Sequence, residues 1–491
     1  MTNPLKILFV TSEMAPLLST GGLAEVAYAL PRALHARGHD IRVAMPCYKS
    51  IPEEYRGNQF CMCVADLGAK MAHGAMRASV VPDTDIPLYL VEHQGYFDRE
   101  QPYGTGGTEY EDNAERFCFF SQAVLHGIPQ VGWMPDVIHC HDWHTAPIPA
   151  YLRTRYEKKS PWHGVPTVFT VHNLAYQGRY PASHFQHTGL DQELFSPEYV
   201  EYHGDMNLMK AGIAFADKLT TVSPRYAKEI QTVEYGAGLD GMLRSRNKDL
   251  HGILNGVDYQ TWNPEKDPHI ETNFSKKDLS GKDQCKAALQ QEFGLPESSH
   301  PLFGVVSRLV WHKGMDVFAE ALEAMLEFDL QVAVLGTGEP GIESRLAAIA
   351  EARPEKFALV RAYNAALSHQ VQAGSDFFLM PSRYEPCGLS QMYSFAYGTI
   401  PVARWTGGLV DTVRDLNPVH RKLHDATGIT FIPMTPGAMV RGVREALDLY
   451  GADALFREVR KNGMAQDFSW NWSCGAYEDV YQEALDLRAA S

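Results

Sequence analysis

The sequence predicts an α/β protein built as two doubly wound, Rossmann-like domains facing a deep cleft. Three observations predict it. The tetrapeptide Thr-Gly-Gly-Leu occurs twice, at Thr20–Leu23 and Thr406–Leu409, each time after a short β-rich run, Ile7–Val10 or Thr399–Ala403. Each copy has an acid two residues later (Glu25, Asp411) and a leucine at a matching further spacing (Leu30, Leu416). Strand, glycine pair and helix together form an anion pocket, because glycine lets the backbone approach a ligand and the first free N–H groups of the helix point at it. Second, β-rich runs alternate with helix-compatible segments through both halves, the pattern of parallel sheets. Third, 491 residues exceed one ordinary core, which favours two or three domains.

The elements follow in order. After Ile7–Val10 come β-rich runs at Ile41–Met45, Pro87–Val91, Asp136–Cys140, Pro166–Val171, Lys218–Val222 and Leu250–Leu254, with helical segments such as Asp112–Leu125 and Met206–Ala216 between them. The second half repeats the rhythm with Leu302–Val306, Leu330–Leu335, Phe357–Val360, Asp376–Met380 and Thr399–Ala403. Its helices are expected over Asp283–Phe293, Met315–Leu326, Ile342–Glu351 and Cys387–Tyr397. Turn signals after Asn255-Gly-Val-Asp258 place the boundary there, giving domains over 1–255 and 256–466. A tail, 467–491, carries Trp470, Trp472, Tyr477, Val480, Tyr481 and Ala484. It reads as an amphipathic helix that must pack on something. The segment Gln101–Asp112, glycine-rich and without periodicity, is expected to be a mobile loop near a ligand.

Composition narrows the function. A net charge of −15 disfavours a nucleic-acid partner. No apolar run reaches the length of a membrane span. The first residues lack a signal peptide's basic start and cleavage site. Eight scattered cysteines without Cys-x-x-Cys pairing suit reduced thiols and a cytoplasmic location.

Four motifs carry chemistry. Arg308 and Lys313, after the strand Leu302–Val306, lie where open α/β sheets bind ligands and suit a diphosphate; the bland alternative is a solvated basic turn. In Pro381–Leu389, Pro386 fits a first helical position. Glu385 either serves a sugar or anomeric carbon or merely caps the helix. The cluster His139-Cys-His141-Asp142-Trp143-His144 looks like metal ligation, but Asp142 reaching into a cleft from a strand end is the better reading, and no metal is expected. His172 ends the next strand and is either a satisfied core histidine or a site residue. Gly336-Thr-Gly338-Glu-Pro-Gly341 matches a dinucleotide fingerprint, but it lies deep in the second half, so it supports a glycine turn near phosphate without requiring NAD.

Taken together, Ser12–Pro16, the Gly-Gly-Leu loop, His141–His144, Val171–Gly178, Gly252–Asp258, Ser307-Arg-Leu, His312-Lys-Gly314, Gly336-Thr-Gly338 and Pro381–Leu389 resemble bacterial glycogen synthase and plant starch synthase, the ADP-glucose type of glycosyltransferase family 5. The resemblance spans nearly the whole chain. It implies the GT-B glycosyltransferase architecture, with an acceptor-side first domain, a donor-side second domain and a tail that crosses back to the first. It also implies a retaining transfer of glucose from ADP-glucose to the non-reducing end of glycogen or another α-1,4-glucan, with neither metal nor cofactor. Arg308 and Lys313 would hold the diphosphate, Glu385 the transferred glucose, and His172 the sugar. Asp142 and Asn255 would line the sugar and acceptor side, and Asn173 would also bind substrate. Tyr363 would stack on the base, and Gly336, Gly338, Cys387, Gly388 and Leu389 would add backbone contacts near phosphate. The family's first loop reads Lys-x-Gly-Gly-Leu; here Ser19 takes the lysine position before Gly21 and Gly22, and Glu25 stands where Asp is common. That departure leaves open UDP-glucose as donor, or a weakly active or non-catalytic glucan-binding paralogue.

Overall fold

The computed structural model describes residues 4–156, 159–362, 364–416 and 425–490. The chain forms two compact units, Met1–Gly256 with Trp470–Ser491, and Val257–Ser469.

In the first unit the main strands are β1 (Lys6–Val10), β2 (Asp40–Pro46), β3 (Asn58–Asp66), β4 (Met71–Val80), β5 (Pro87–Glu92), β6 (Val137–His141), β7 (Thr167–Val171), β8 (Lys218–Thr221) and β9 (Leu250–Gly252). They form one sheet in the order β9-β8-β7-β6-β1-β2-β5-β4-β3. The seven strands from β9 to β5 are parallel, and β4 and β3 continue the sheet antiparallel. Every residue of β6 and β7 is buried, as expected of parallel strands covered on both faces. Strand order reverses at β1, whose neighbours are β2 and β6, so the carboxyl ends of β1 and β6 flank a topological switch point. Helix α1 (Gly22–Ala36) follows β1, and helix α2 (Asn113–Gly127) precedes β6.

The second unit is a six-stranded parallel sheet of β10 (Leu302–Val306), β11 (Gln331–Leu335), β12 (Phe357–Val360), β13 (Phe377–Met380), β14 (Ile400–Arg404) and β15 (Ile429–Phe431). Its order is β12-β11-β10-β13-β14-β15. The reversal falls at β10. Helices α3 (Met315–Met325), α4 (Pro340–Ala352), α5 (Ser390–Ala396) and α6 (Gly408–Thr412) follow β10, β11, β13 and β14. Apolar clusters fill the unit, one containing Phe303, Val332 and Leu379 and another Leu302, Ala333 and Phe378. Neighbouring residues of a strand thus go to different clusters, because side chains alternate across it.

The last helix, α7 (Trp470–Ala489), belongs to the first unit. Its buried residues Trp470, Cys474, Tyr477, Tyr481 and Ala484 recur every three or four positions, the spacing of one helical face. Glu478 accepts a bidentate pair from Arg37 at 2.6 and 2.7 Å and a third contact from His39 Nε2 at 3.0 Å. Tyr481 bonds His139 Nδ1 at 2.9 Å, and Arg488 pairs with Asp217 at 2.9 Å. No helix among the described residues is long and apolar enough to cross a membrane.

Candidate active site

The second unit gathers its chemistry at the carboxyl edge of the sheet. From β10 the chain passes through Arg308 and a 3₁₀ turn, Trp311–Lys313, into α3. From the adjacent β13 it runs through Pro381–Leu389 to α5. Because β10 and β13 are parallel neighbours, these two loops lie side by side. Lys313 Nζ donates to both oxygens of Glu385, at 2.8 and 2.7 Å. Ser382 Oγ adds a bond to Oε2 at 2.6 Å. Glu385 is only 6% exposed. Burial raises its carboxyl pKa, but the Lys313 charge and the bonds from Lys313 and Ser382 outweigh that, and the net shift is downward. Glu385 is therefore an ionised carboxylate held at a fixed point, as a charged group in a dry site must be.

Arg308 is exposed, and its guanidinium donates to His312 Nε2 at 3.1 Å. Arg308 does sit on a solvated turn, but Lys313 is not a free surface charge and Glu385 is not a helix cap. Lys313 is committed to a buried carboxylate, and α5 begins at Ser390, too late for Glu385 to cap it. The expected helix from Cys387, with Pro386 at its first position, is corrected accordingly. Gly388 has φ +73°, and Leu389 is the N-cap, so the segment stays non-helical until Ser390. Cys387 is buried there, and its carbonyl accepts from Gln391 Nε2.

The second Thr-Gly-Gly-Leu copy has a specific task. Gly407 takes φ +47°, and a Cβ there would lie 1.9 Å from the Glu385 carbonyl oxygen. Gly408 N donates to that same oxygen at 3.0 Å. The motif clasps the backbone of Glu385. Gly336 and Gly338 are likewise used for close approach, since a Cβ on either would fall within 2.2 Å of the Ser307 or Leu309 carbonyl oxygen. Leu309 N donates to Thr337 O, so the loops after β10 and β11 are knitted together. Tyr363 lies outside the described residues.

In the first unit, Asp142 follows β6 with φ +55° and is buried. Its Oδ1 accepts from His172 N at 2.8 Å, and Asn173 N also bonds the carboxylate. Burial pushes its pKa up to about 7, against those two bonds and with added repulsion from Glu13. His172, at the end of β7, bonds His141 Nδ1 through Nε2 at 2.9 Å, and burial lowers its pKa to about 3. It is a neutral imidazole near neutrality. Asn173 Oδ1 accepts from Ala175 N, and Asn255 is buried with its Oδ1 unpaired among the described residues. Ser19, Gly21 and Gly22 are exposed at the start of α1. Their loop is anchored by Glu13, which accepts from Thr20 N at 2.9 Å and Thr20 Oγ1 at 2.6 Å.

His139 is no metal ligand candidate here: its nitrogens bond Tyr481 and Thr170. Among the described residues no group of three His, Cys, Asp or Glu is placed to hold a metal ion. The loop expected to be mobile forms a short hairpin, Gly104–Thr105 with Thr108–Glu109. Its base is tied by Tyr103 to Ser12 at 2.9 Å and by Asn113 to the Tyr103 carbonyl. Reading the sequence missed the roles of Glu13 and Ser382. Both lie in motifs it had singled out, but which carboxylate a loop folds over depends on tertiary pairing.

Residues 6–245 match the starch synthase catalytic domain model, and residues 288–463 match the model of glycosyl transferases group 1. A glycogen synthase of Moorella thermoacetica is 42% identical, over 100% of this chain and 99% of its own. Another, from Anaeromyxobacter dehalogenans, is 45% identical over 97% and 99%. The solved catalytic domain of starch synthase IV from Arabidopsis thaliana, bound to ADP and acarbose, superposes with a TM-score of 0.91 at 34% identity, covering 98% of this chain and 100% of that one. A sucrose-phosphate synthase from Thermosynechococcus elongatus (TM-score 0.59, 16% identity, 99% of both chains) shares the fold. Full-length identity above 40%, together with a strand-end lysine–carboxylate pair in a doubly wound domain, means that the chain belongs to the glycogen synthase and starch synthase family of two-domain glycosyltransferases.

Proposed function

We propose that this glycogen synthase homologue transfers glucose from ADP-glucose to the non-reducing end of an α-1,4-glucan, with retention at the anomeric carbon. The first unit serves the acceptor and the second the donor. The observation that carries the reading is the contact of Lys313 with Glu385, beside Arg308, at the switch point of the second sheet. The difficult step is expulsion of a nucleoside diphosphate. Arg308 and Lys313 stabilise the charge that grows on the departing oxygens, and groups fixed before the reaction do so without reorganising. Glu385, ionised, faces the sugar and favours positive character at the anomeric carbon. Asp142, neutral His172, Asn173 and the Oδ1 of Asn255, unpaired among the described residues, engage hydroxyls on the sugar and acceptor side. The ADP and acarbose bound by the starch synthase IV domain support a nucleotide sugar and a glucan as the two substrates. Tyr363 is assigned to the base, and Ser19, Gly21, Gly22, Cys387, Gly388 and Leu389 to the phosphate surroundings.

A panel of ADP-, UDP- and GDP-glucose with glycogen as primer tests the donor. ADP-glucose should give the highest kcat/KM; a higher value for UDP-glucose would overturn that choice. Ser19 favours one variation on the reading: a weaker phosphate grip, because a short hydroxyl stands where a lysine would supply a charged bond worth about 1.5–3 kcal/mol. Ser19→Lys should then lower the KM for ADP-glucose roughly tenfold or more. An unchanged KM would remove Ser19 from donor binding.

A further inference from the structure

We propose that His312 is the positioning residue of the diphosphate grip, its Nε2 accepting from the Arg308 guanidinium and fixing where that guanidinium points. The proposal rests on Arg308 acting on the diphosphate, as argued above. Arg308 is exposed, and its bond to His312 at 3.1 Å is the one hydrogen bond its side chain makes among the described residues. A long, solvated arginine with no other anchor among the described residues samples many rotamers, and that freedom is lost when it is finally held.

His312 can act as such an anchor because it is itself fixed. Its ring stacks on Tyr384, with centroids 5.5 Å apart and planes 23° apart. Its carbonyl accepts from Arg383 N at 2.9 Å, and Arg383 is pinned by Asp316 at 2.7 Å and lies 4.4 Å over the Trp311 ring. His312 thus bridges the two loops that bear Lys313 and Glu385. For Nε2 to accept, the imidazole must be neutral with its proton on Nδ1. The surroundings enforce this: burial, then Arg308 and Lys313, lower the pKa to about 4, against an opposite pull from Glu385.

The test uses four full-length proteins (wild type, His312→Phe, His312→Gln and Arg308→Ala) and the Arg308→Ala/His312→Phe double variant, each checked by its Tm. Phenylalanine keeps the stack on Tyr384 and removes the acceptor; glutamine keeps an acceptor. Loss of a charged hydrogen bond predicts a fall in kcat/KM for ADP-glucose of roughly ten- to a hundredfold in His312→Phe, with KM for glycogen unchanged. His312→Gln should stay within about threefold of wild type, and in the Arg308→Ala background His312→Phe should change little, within about twofold. Equal losses from His312→Phe with and without Arg308, a His312→Gln as poor as His312→Phe, or a fully active His312→Phe would each overturn the proposal. A wild type that transfers no glucose would instead overturn the functional reading. Calorimetric titration of the same proteins with ADP would then still test the positioning, through the same pattern of affinities.

Discussion

At the scale of single residues, two carboxylates in this chain are tuned in opposite directions. Glu385 has a lowered pKa: burial works against ionisation, but Lys313 and Ser382 more than compensate. Its contribution to stability is therefore present above the unfolded carboxylate pKa and lost as pH falls through the lower folded value. Lys313→Met would leave a buried carboxylate uncompensated and should cost on the order of 3 kcal/mol, read as a fall in urea midpoint at pH 7; an unchanged midpoint would contradict the ion pair. Asp142 is the reverse case. Its pKa is raised from 3.8 to about 7, chiefly by burial. The folded protein holds that proton where the unfolded chain has lost it, so stability declines as pH rises from about 4 to about 7, by on the order of 4 kcal/mol in all. Asp142→Asn should remove this slope and raise Tm at pH 8 relative to wild type while lowering transfer activity. A parallel pair of Tm–pH curves would show that Asp142 titrates normally.

At the scale of elements, the two Thr-Gly-Gly-Leu copies share a sequence and differ in use. The first opens α1 as an exposed loop tied to Glu13, whereas the second is folded beneath the backbone of Glu385. Gly407→Ala combines a left-handed φ with a Cβ 1.9 Å from a carbonyl oxygen. It should lower stability by at least about 1–3 kcal/mol and depress kcat by displacing Glu385; an active, stable variant would contradict the clasp. The parallel strands were legible in the sequence because strands buried on both faces read as unbroken apolar runs, as in β10 and β13. The β3–β4 hairpin was not: its strands are exposed or half-buried along much of their length, with Gly74 crossing close to Phe119. The start of α5 was misplaced because Pro386 suits a first turn locally, while Gly388 at positive φ overrides it. Arg308, Lys313 and Glu385 could be picked out by position after strands. That Lys313 bonds both oxygens of Glu385, and that His312 holds Arg308, required the register of neighbouring strands.

At the scale of the whole molecule, each unit carries its polar groups at the carboxyl edge of its own sheet, with Asp142 and His172 in one and Arg308, Lys313 and Glu385 in the other. The final helix completes the first unit through Glu478 and Tyr481. On the function proposed above, Arg308 and Lys313 take up the charge of the departing diphosphate while Glu385 faces the sugar. The direct measurement is the initial rate of labelled glucose transfer from ADP-glucose to glycogen by wild type, Arg308→Ala, Lys313→Ala and Glu385→Ala, each folded by circular dichroism. Loss of a preorganised charge at the reacting centre predicts rates down by roughly a hundred- to a thousandfold in each variant. Folded variants that keep rates within about twofold of wild type would contradict the account.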